Sequence, residues 1–105
     1  MYALIYGQRL VKNQFGEHSK SLIVNSTKSM IGHLLGAAGG VEAIVSILSI
    51  KNQTIHPTIN IFNQDPECDL DYNSTGSREL MINYALSNSF GFGGTNGSLV
   101  FSKFV

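Results

Sequence analysis

Cysteine is nearly absent from this chain of 105 residues. The single one, Cys68, excludes an internal disulfide, is too little for a thiolate metal site, and fits a reducing compartment. Charge is scarce as well. Seven basic residues balance seven acidic ones with no cluster of either sign, so nothing points to a nucleic-acid groove or to an anionic membrane surface. The first residues, "MYALIYGQRL", lack both the basic start and the long apolar core of a signal peptide, and no export signal is read there. There is no internal repeat and no low-complexity tract. In a cytosolic chain the Asn-x-Ser/Thr triplets at Asn25, Asn52, Asn73 and Asn96 are chance matches. The length allows one domain at most, and is enough to bury a core.

What is present falls into a few segments. Leu10, Val11 and Phe15 have roughly helical spacing over residues 9–20, and Gly16 stands where such a helix could stop. "SLIVNST" reads as a short buried strand over 21–26. Residues 29–50, "SMIGHLLGAAGGVEAIVSILSI", are apolar almost all round, with Glu42 the one charged residue and His33 the one histidine, and predict one buried helix. Gly32, Gly36 and Gly40 form two overlapping GxxxG pairs, so a membrane span is the competing reading; Glu42 and the many glycines argue against it. Residues 51–80, with Pro57 and Pro66, read as extended loop, and His56 before Pro57 reads as an exposed loop imidazole.

The last segment, "NSFGFGGTNGSLVFSKF", follows the strand period of Tyr84, Leu86, Asn88, Phe90 and Phe92 with a glycine bend and a second strand near 98–101. A nucleotide-binding reading fails there, because Asn96 stands where the dinucleotide fingerprint needs its third glycine and no helical pattern follows. Cys68 lies among Glu67, Asp69 and Asp71, whose negative charge disfavours a thiolate, so it is a poor nucleophile candidate. Lys28 and His33 sit at the strand-to-helix junction. A histidine inside an apolar helix is desolvated and neutral, able to donate or accept as one tautomer. Glu42, nine positions along the expected helix, faces away from His33 and could take Lys28 as a buried partner.

Taken together, "NSTKSMIGHLLGAAGGVEAI", "PTIN", "DPECDLDY" and "NSFGFGGTNGSLVF" resemble the C-terminal part of the β-ketoacyl-acyl-carrier-protein synthases of the type II elongating kind, the condensing enzymes of fatty acid synthesis. The match runs from about residue 10 to 103 of a single partial domain spanning 1–105, with 1–8 unmatched. The resemblance implies a mechanism in which an acyl chain moves to a cysteine, malonyl carrier protein is decarboxylated with the help of two histidines, and the carbanion attacks the acyl thioester. His33 matches the second of those histidines, the donor to the malonyl thioester carbonyl. Lys28 and Glu42 match the supporting ion pair. The Phe92 backbone N–H matches an oxyanion-hole donor and its ring a gate over the acyl pocket, with Asn88, Gly91, Gly93 and Gly94 supporting that loop.

The resemblance also implies a thiolase-like α/β fold, here partial. The family's C-terminal half has strand order 3-2-1-4-5; this chain would supply strands 3, 4 and 5, lacking the first two, around a buried Gly-rich central helix with a C-terminal antiparallel strand pair. The reactive cysteine and the Thr-His-Gly-Thr histidine of the family have no counterpart in this sequence, so the chain alone is expected to be inactive. Acyl carrier protein thioesters, the missing N-terminal half or a homologous synthase, and a homodimer partner are the implied associates; no cofactor, metal, nucleic acid or membrane is implied. His56 stands where the family usually has a second proline, and reads as neutral loop variation. The alternative from another class is a small non-catalytic interaction or membrane protein built on residues 29–50.

Overall fold

Gly16 does stop the first helix. It takes φ +54°, a left-handed conformation that costs glycine little, and α1 (Tyr2–Phe15) ends against it in a 3-10 stretch, Gly16–Ser21. The computed structural model describes residues 2–104. Beyond α1 the order is α2 (Lys28–Ile31), a 3-10 turn (Leu35–Ala37), α3 (Ala38–Asn52), β1 (Thr54–Ile55), β2 (Arg78–Glu79), β3 (Tyr84–Phe90), a 3-10 turn (Phe92–Gly94) and β4 (Asn96–Ser102). β1 pairs antiparallel with β2, and β3 antiparallel with β4, from Tyr84 opposite Ser102 to Phe90 opposite Asn96.

The helix expected over 9–20 begins at Tyr2 instead, and three further expected elements differ. The helix over 29–50 is broken: α2 is a single turn, capped by Gly32 at φ +76°, and α3 begins only at Ala38. The cause lies in the glycines and in Leu35, which holds φ +51°, a region that side-chain-bearing residues rarely adopt. The strand over 21–26 shrinks to one parallel bridge between Ile23 and Asp71, closed by Val24 N–H donating to Asp71 O at 2.8 Å. Its partner turns away at Asn73, φ +49°, and the ladder ends there. The 51–80 segment expected as loop carries β1 and β2.

The core is small. Cys68, Leu70 and Tyr72 are buried together, with Val11 of α1, Val24 and Ile61 packed on them. Gln8 fastens α1 to this cluster, since its Oε1 accepts from Tyr72 OH and from Asp69 N–H, both at 3.1 Å, while its Nε2 donates to Glu67 O. Burial, with Cys68 beside it, pushes the Tyr72 hydroxyl up to about 12, so it keeps its proton and remains a donor at neutral pH.

α3 packs against β3 and β4, and the face of β3 bearing Ala85 and Ser87 is the half-buried one. The approach is close at Gly39, where a Cβ would stand 3.7 Å from Ser89 Oγ. On the far side of α3, Ile44, Ile47 and Leu48 form a stripe at helical spacing that stays open, Ile44 58% exposed. Tyr84, Leu86 and Phe90 on the outer face of β3 are open too. The expectation of a buried central helix is therefore corrected, because the described residues cover one flank of α3 only. Accessible surface reaches 7771 Å², against about 5,800 Å² for a monomer of this mass. None of the described helices is long and apolar enough to cross a membrane.

α3 is closed at its C-terminus by a residue with no motif to announce it. Gln53, in the left-handed region at φ +53°, donates from Nε2 to Ile50 O (2.6 Å) and Ile82 O (2.9 Å), and its Oε1 accepts from Ile82 N–H (2.9 Å). One amide thus ties the end of the helix to the chain entering β3. Replacing Gln53 by Ala leaves the buried Ile82 N–H and carbonyl without these partners and should lower unfolding stability by about 1–3 kcal/mol. A chemical-denaturation midpoint equal to the parent's would show that the clamp contributes nothing.

Candidate active site

The junction 25–29 is held by a strap, residues 56–59, rather than by a strand ladder. Asn25 Nδ2 donates to His56 O at 3.0 Å, Ser26 N–H to Thr58 Oγ1 at 3.0 Å, and Ile59 N–H to Ser29 Oγ at 3.1 Å. Ser29 Oγ in turn donates to Ser26 O at 2.8 Å, closing the turn that opens α2. Held in this way, Lys28 reaches α3 and pairs with Glu42 Oε1. The Glu42 side chain is only 13% exposed and that of Lys28 38%, so the pair bridges the junction to the helix in a partly desolvated setting where losing one partner strands the other. Lys28 and Glu42 are thus brought together, as their spacing allowed, although they sit on two separate helices.

His33 is placed differently from the expectation. It lies in the non-helical gap between α2 and α3, exposed to solvent, and is not desolvated inside a helix. The backbone N–H of Leu35 donates to its Nδ1 at 3.0 Å. Nδ1 therefore carries no proton in this arrangement, and the neutral ring holds its proton on Nε2, where it can be donated outward. The positive φ of Leu35 is part of what turns that N–H onto the ring.

The loop requires glycine at three positions, 91, 93 and 94. Gly91 N–H donates to Thr95 O at 3.0 Å, and a Cβ on Gly91 would lie 2.4 Å from Thr95 Oγ1 and 2.9 Å from Thr95 O. Only glycine fits. Gly93 and Gly94 take φ +75° and +82°. Thr95 Oγ1 donates to Phe92 O at 3.2 Å, fixing the peptide that follows Phe92. The Phe92 ring is wholly exposed, at 104%, and Asn88 Oδ1 accepts from Ser98 Oγ across the hairpin at 2.7 Å. Because Ser89 sits against Gly39, this loop and the His33 gap meet the same end of α3.

Sequence reasoning missed His56. It is half-buried rather than exposed: Nδ1 lies 2.9 Å from Pro57 O, and Nε2 lies 3.1 Å from Thr27 Oγ1 and 3.4 Å from Asn25 Nδ2. A polar ring next to a proline, in a stretch rich in Asn and Thr, was its only signal. Cys68 is buried, which agrees with a thiol that is no nucleophile.

A solved ketosynthase of a type II PKS, in complex with its acyl-carrier protein and bound to the hexaketide, superposes with a TM-score of 0.85 at 39% identity, covering 90% of this chain and 23% of that one. The fold is accordingly a piece of the thiolase-like α/β architecture of ketosynthases. Residues 8–62 match the beta-ketoacyl synthase, C-terminal domain, and the chain belongs to that family. Among curated relatives it is 58% identical over 96 residues to 3-oxoacyl-[acyl-carrier-protein] synthase 2 of Staphylococcus aureus (strain COL), and 54% identical over 95 residues to the protein of that name from Coxiella burnetii. These alignments take in 91% and 90% of this chain, which spans 23% of each relative's length.

Gly91→Ala should spring the loop, because the methyl group cannot coexist with the Thr95 carbonyl and hydroxyl. The expected cost is about 1–3 kcal/mol of stability, together with faster hydrogen exchange at the residue-91 amide. Adding Thr95→Ala should restore part of the loss, since it removes the closer of the two clashes. Unchanged exchange at residue 91 would contradict this account of the loop.

Proposed function

We propose that the chain is the C-terminal part of a 3-oxoacyl-acyl-carrier-protein synthase, the enzyme that condenses an acyl thioester with malonyl-acyl carrier protein by decarboxylation. The observation that carries the reading is His33: a neutral imidazole whose Nδ1 is occupied by the Leu35 N–H and whose exposed Nε2–H is free to meet a carbonyl oxygen as it becomes an enolate. The Lys28–Glu42 pair holds the segment leading into that histidine, and the Phe92 backbone N–H at the loop serves the second oxyanion.

The roles divide by charge. His33 stabilises charge on the malonyl thioester oxygen after carbon dioxide leaves. The loop stabilises the tetrahedral oxyanion formed when the carbanion attacks the acyl thioester. The Phe92 ring, unsupported by its own chain, swings over the acyl pocket. The nucleophilic cysteine and the first histidine come from the N-terminal part of a synthase, and the 105 residues act as one partial domain, matched over about 10–103. The acyl carrier protein delivers both thioesters; support comes from the solved relative described with its carrier protein. The synthase works as a homodimer in the cytoplasm.

Purified alone, the chain should yield no 3-oxoacyl product from acyl- and malonyl-acyl carrier protein, because no covalent route exists without the cysteine. Product that disappears in Cys68→Ser would overturn the reading. Supplied with the N-terminal part of a homologous synthase, it should gain activity. His33→Ala should then cut malonyl decarboxylation about 10²-fold or more while sparing acyl transfer to the partner's cysteine. Equal loss in both steps would mark His33 as structural.

A further inference from the structure

We propose that His56 is a positioning residue for Lys28, acting through the Thr27 hydroxyl. The inference rests on reading Lys28–Glu42 as the ion pair of the site. Pro57 O beside Nδ1, at 2.9 Å, can only accept, which puts the imidazole proton on Nδ1 and leaves Nε2 as an acceptor. The hydroxyl of Thr27 lies 3.1 Å from that Nε2 and donates to it.

The consequence appears at α2. Thr27 stands at the N-cap of this four-residue helix, where a threonine ordinarily turns its oxygen onto the backbone N–H groups of the first turn, yet it makes no such side-chain bond. Its hydroxyl is committed to His56 instead. The first turn is therefore held from outside, by the strap: His56 takes Thr27, Thr58 takes Ser26, and Ile59 takes Ser29. Lys28 lies within that set of anchors, and a one-turn helix has too little internal bonding to aim a long side chain unaided. Two of the three anchored residues, Thr27 and Ser29, flank Lys28, and the anchor on Thr27 depends on an imidazole.

Asn25 Nδ2 and Asn73 Nδ2 both donate to the His56 carbonyl, each at 3.0 Å, so the His56 backbone is fixed whatever its side chain. A side-chain substitution at 56 therefore tests the imidazole without dismantling the strap. Two replacements, one with an acceptor and one without, can be compared. Gln can still offer Thr27 an oxygen, and Leu cannot.

The test is the rate at which the Lys28 amine of the 105-residue chain is acylated by a succinimidyl ester, read by peptide mass spectrometry with exposed Lys51 as reference in the same sample. Glu42→Gln sets the rate of an unpaired Lys28. His56→Leu should raise the Lys28 rate toward that value by about fivefold, the population change that one neutral hydrogen bond sustains. His56→Gln should leave it near the parent's. Thr27→Val, which removes the donor and leaves the strap alone, should match His56→Leu, and imidazole nitrogen shifts should report the Nδ1–H tautomer in the parent. An unchanged Lys28 rate in His56→Leu would overturn the proposal. Equal rises in the Leu and Gln variants would do so as well, as would a parallel rise at Lys12 and Lys20 that signals general loosening, or no response to Glu42→Gln. None of these readouts needs condensing activity, so the proposal can fail while the functional reading stands, and the reverse.

Discussion

An apolar helix needs cover on more than one side, and α3 receives it on one. Ala38 and Ile50 are buried and β3 and β4 lie along one flank, but the stripe of Ile44, Ile47 and Leu48 faces outward. The surplus of accessible surface over a monomer of this mass is about 2,000 Å², the scale of an obligate interface. The candidate site residues are arranged around this half-covered helix. Glu42 on it receives Lys28, the gap before it presents His33, and the glycine loop meets the same end through Ser89.

The polar anchoring makes up for what a small core cannot supply. Cys68, Leu70 and Tyr72 give α1 a place to dock, but α2, the His33 gap and the strap are positioned by hydrogen bonds from Asn25, Ser26, Ser29, His56 and Thr58. Each such bond is modest alone, and together they restrain a segment with little apolar burial. Under the function proposed above, the arrangement suits a site that presents two oxyanion donors at fixed places while a larger body closes over it.

How much of this was readable from the sequence depended on the range of the interaction. Gly16, the strand period from Tyr84 to Phe90 and the glycine turn after it are local signals, and all three stand where the pattern placed them. The ordered motifs pointed to the family. Local reasoning failed where tertiary geometry decides. The same glycines that resemble a helix-packing motif in 29–50 instead break the helix at Gly32, and this takes His33 out of the helix altogether. The apolar run at Leu22, Ile23 and Val24 makes a single bridge because its neighbour turns at Asn73. Gln8, Gln53 and His56 were invisible, since each acts through partners about 30 or more positions away that no pattern announces.

The central claim is that this fold is a part shaped to be covered by a larger body, and sedimentation velocity of the 105-residue chain over a range of concentrations tests it most directly. With Ile44, Ile47, Leu48, Tyr84 and Phe90 open, the chain should associate increasingly as concentration rises. A single boundary at the 11.4 kDa monomer across the whole range would contradict the account, because it would mean that the open stripe of α3 needs no cover.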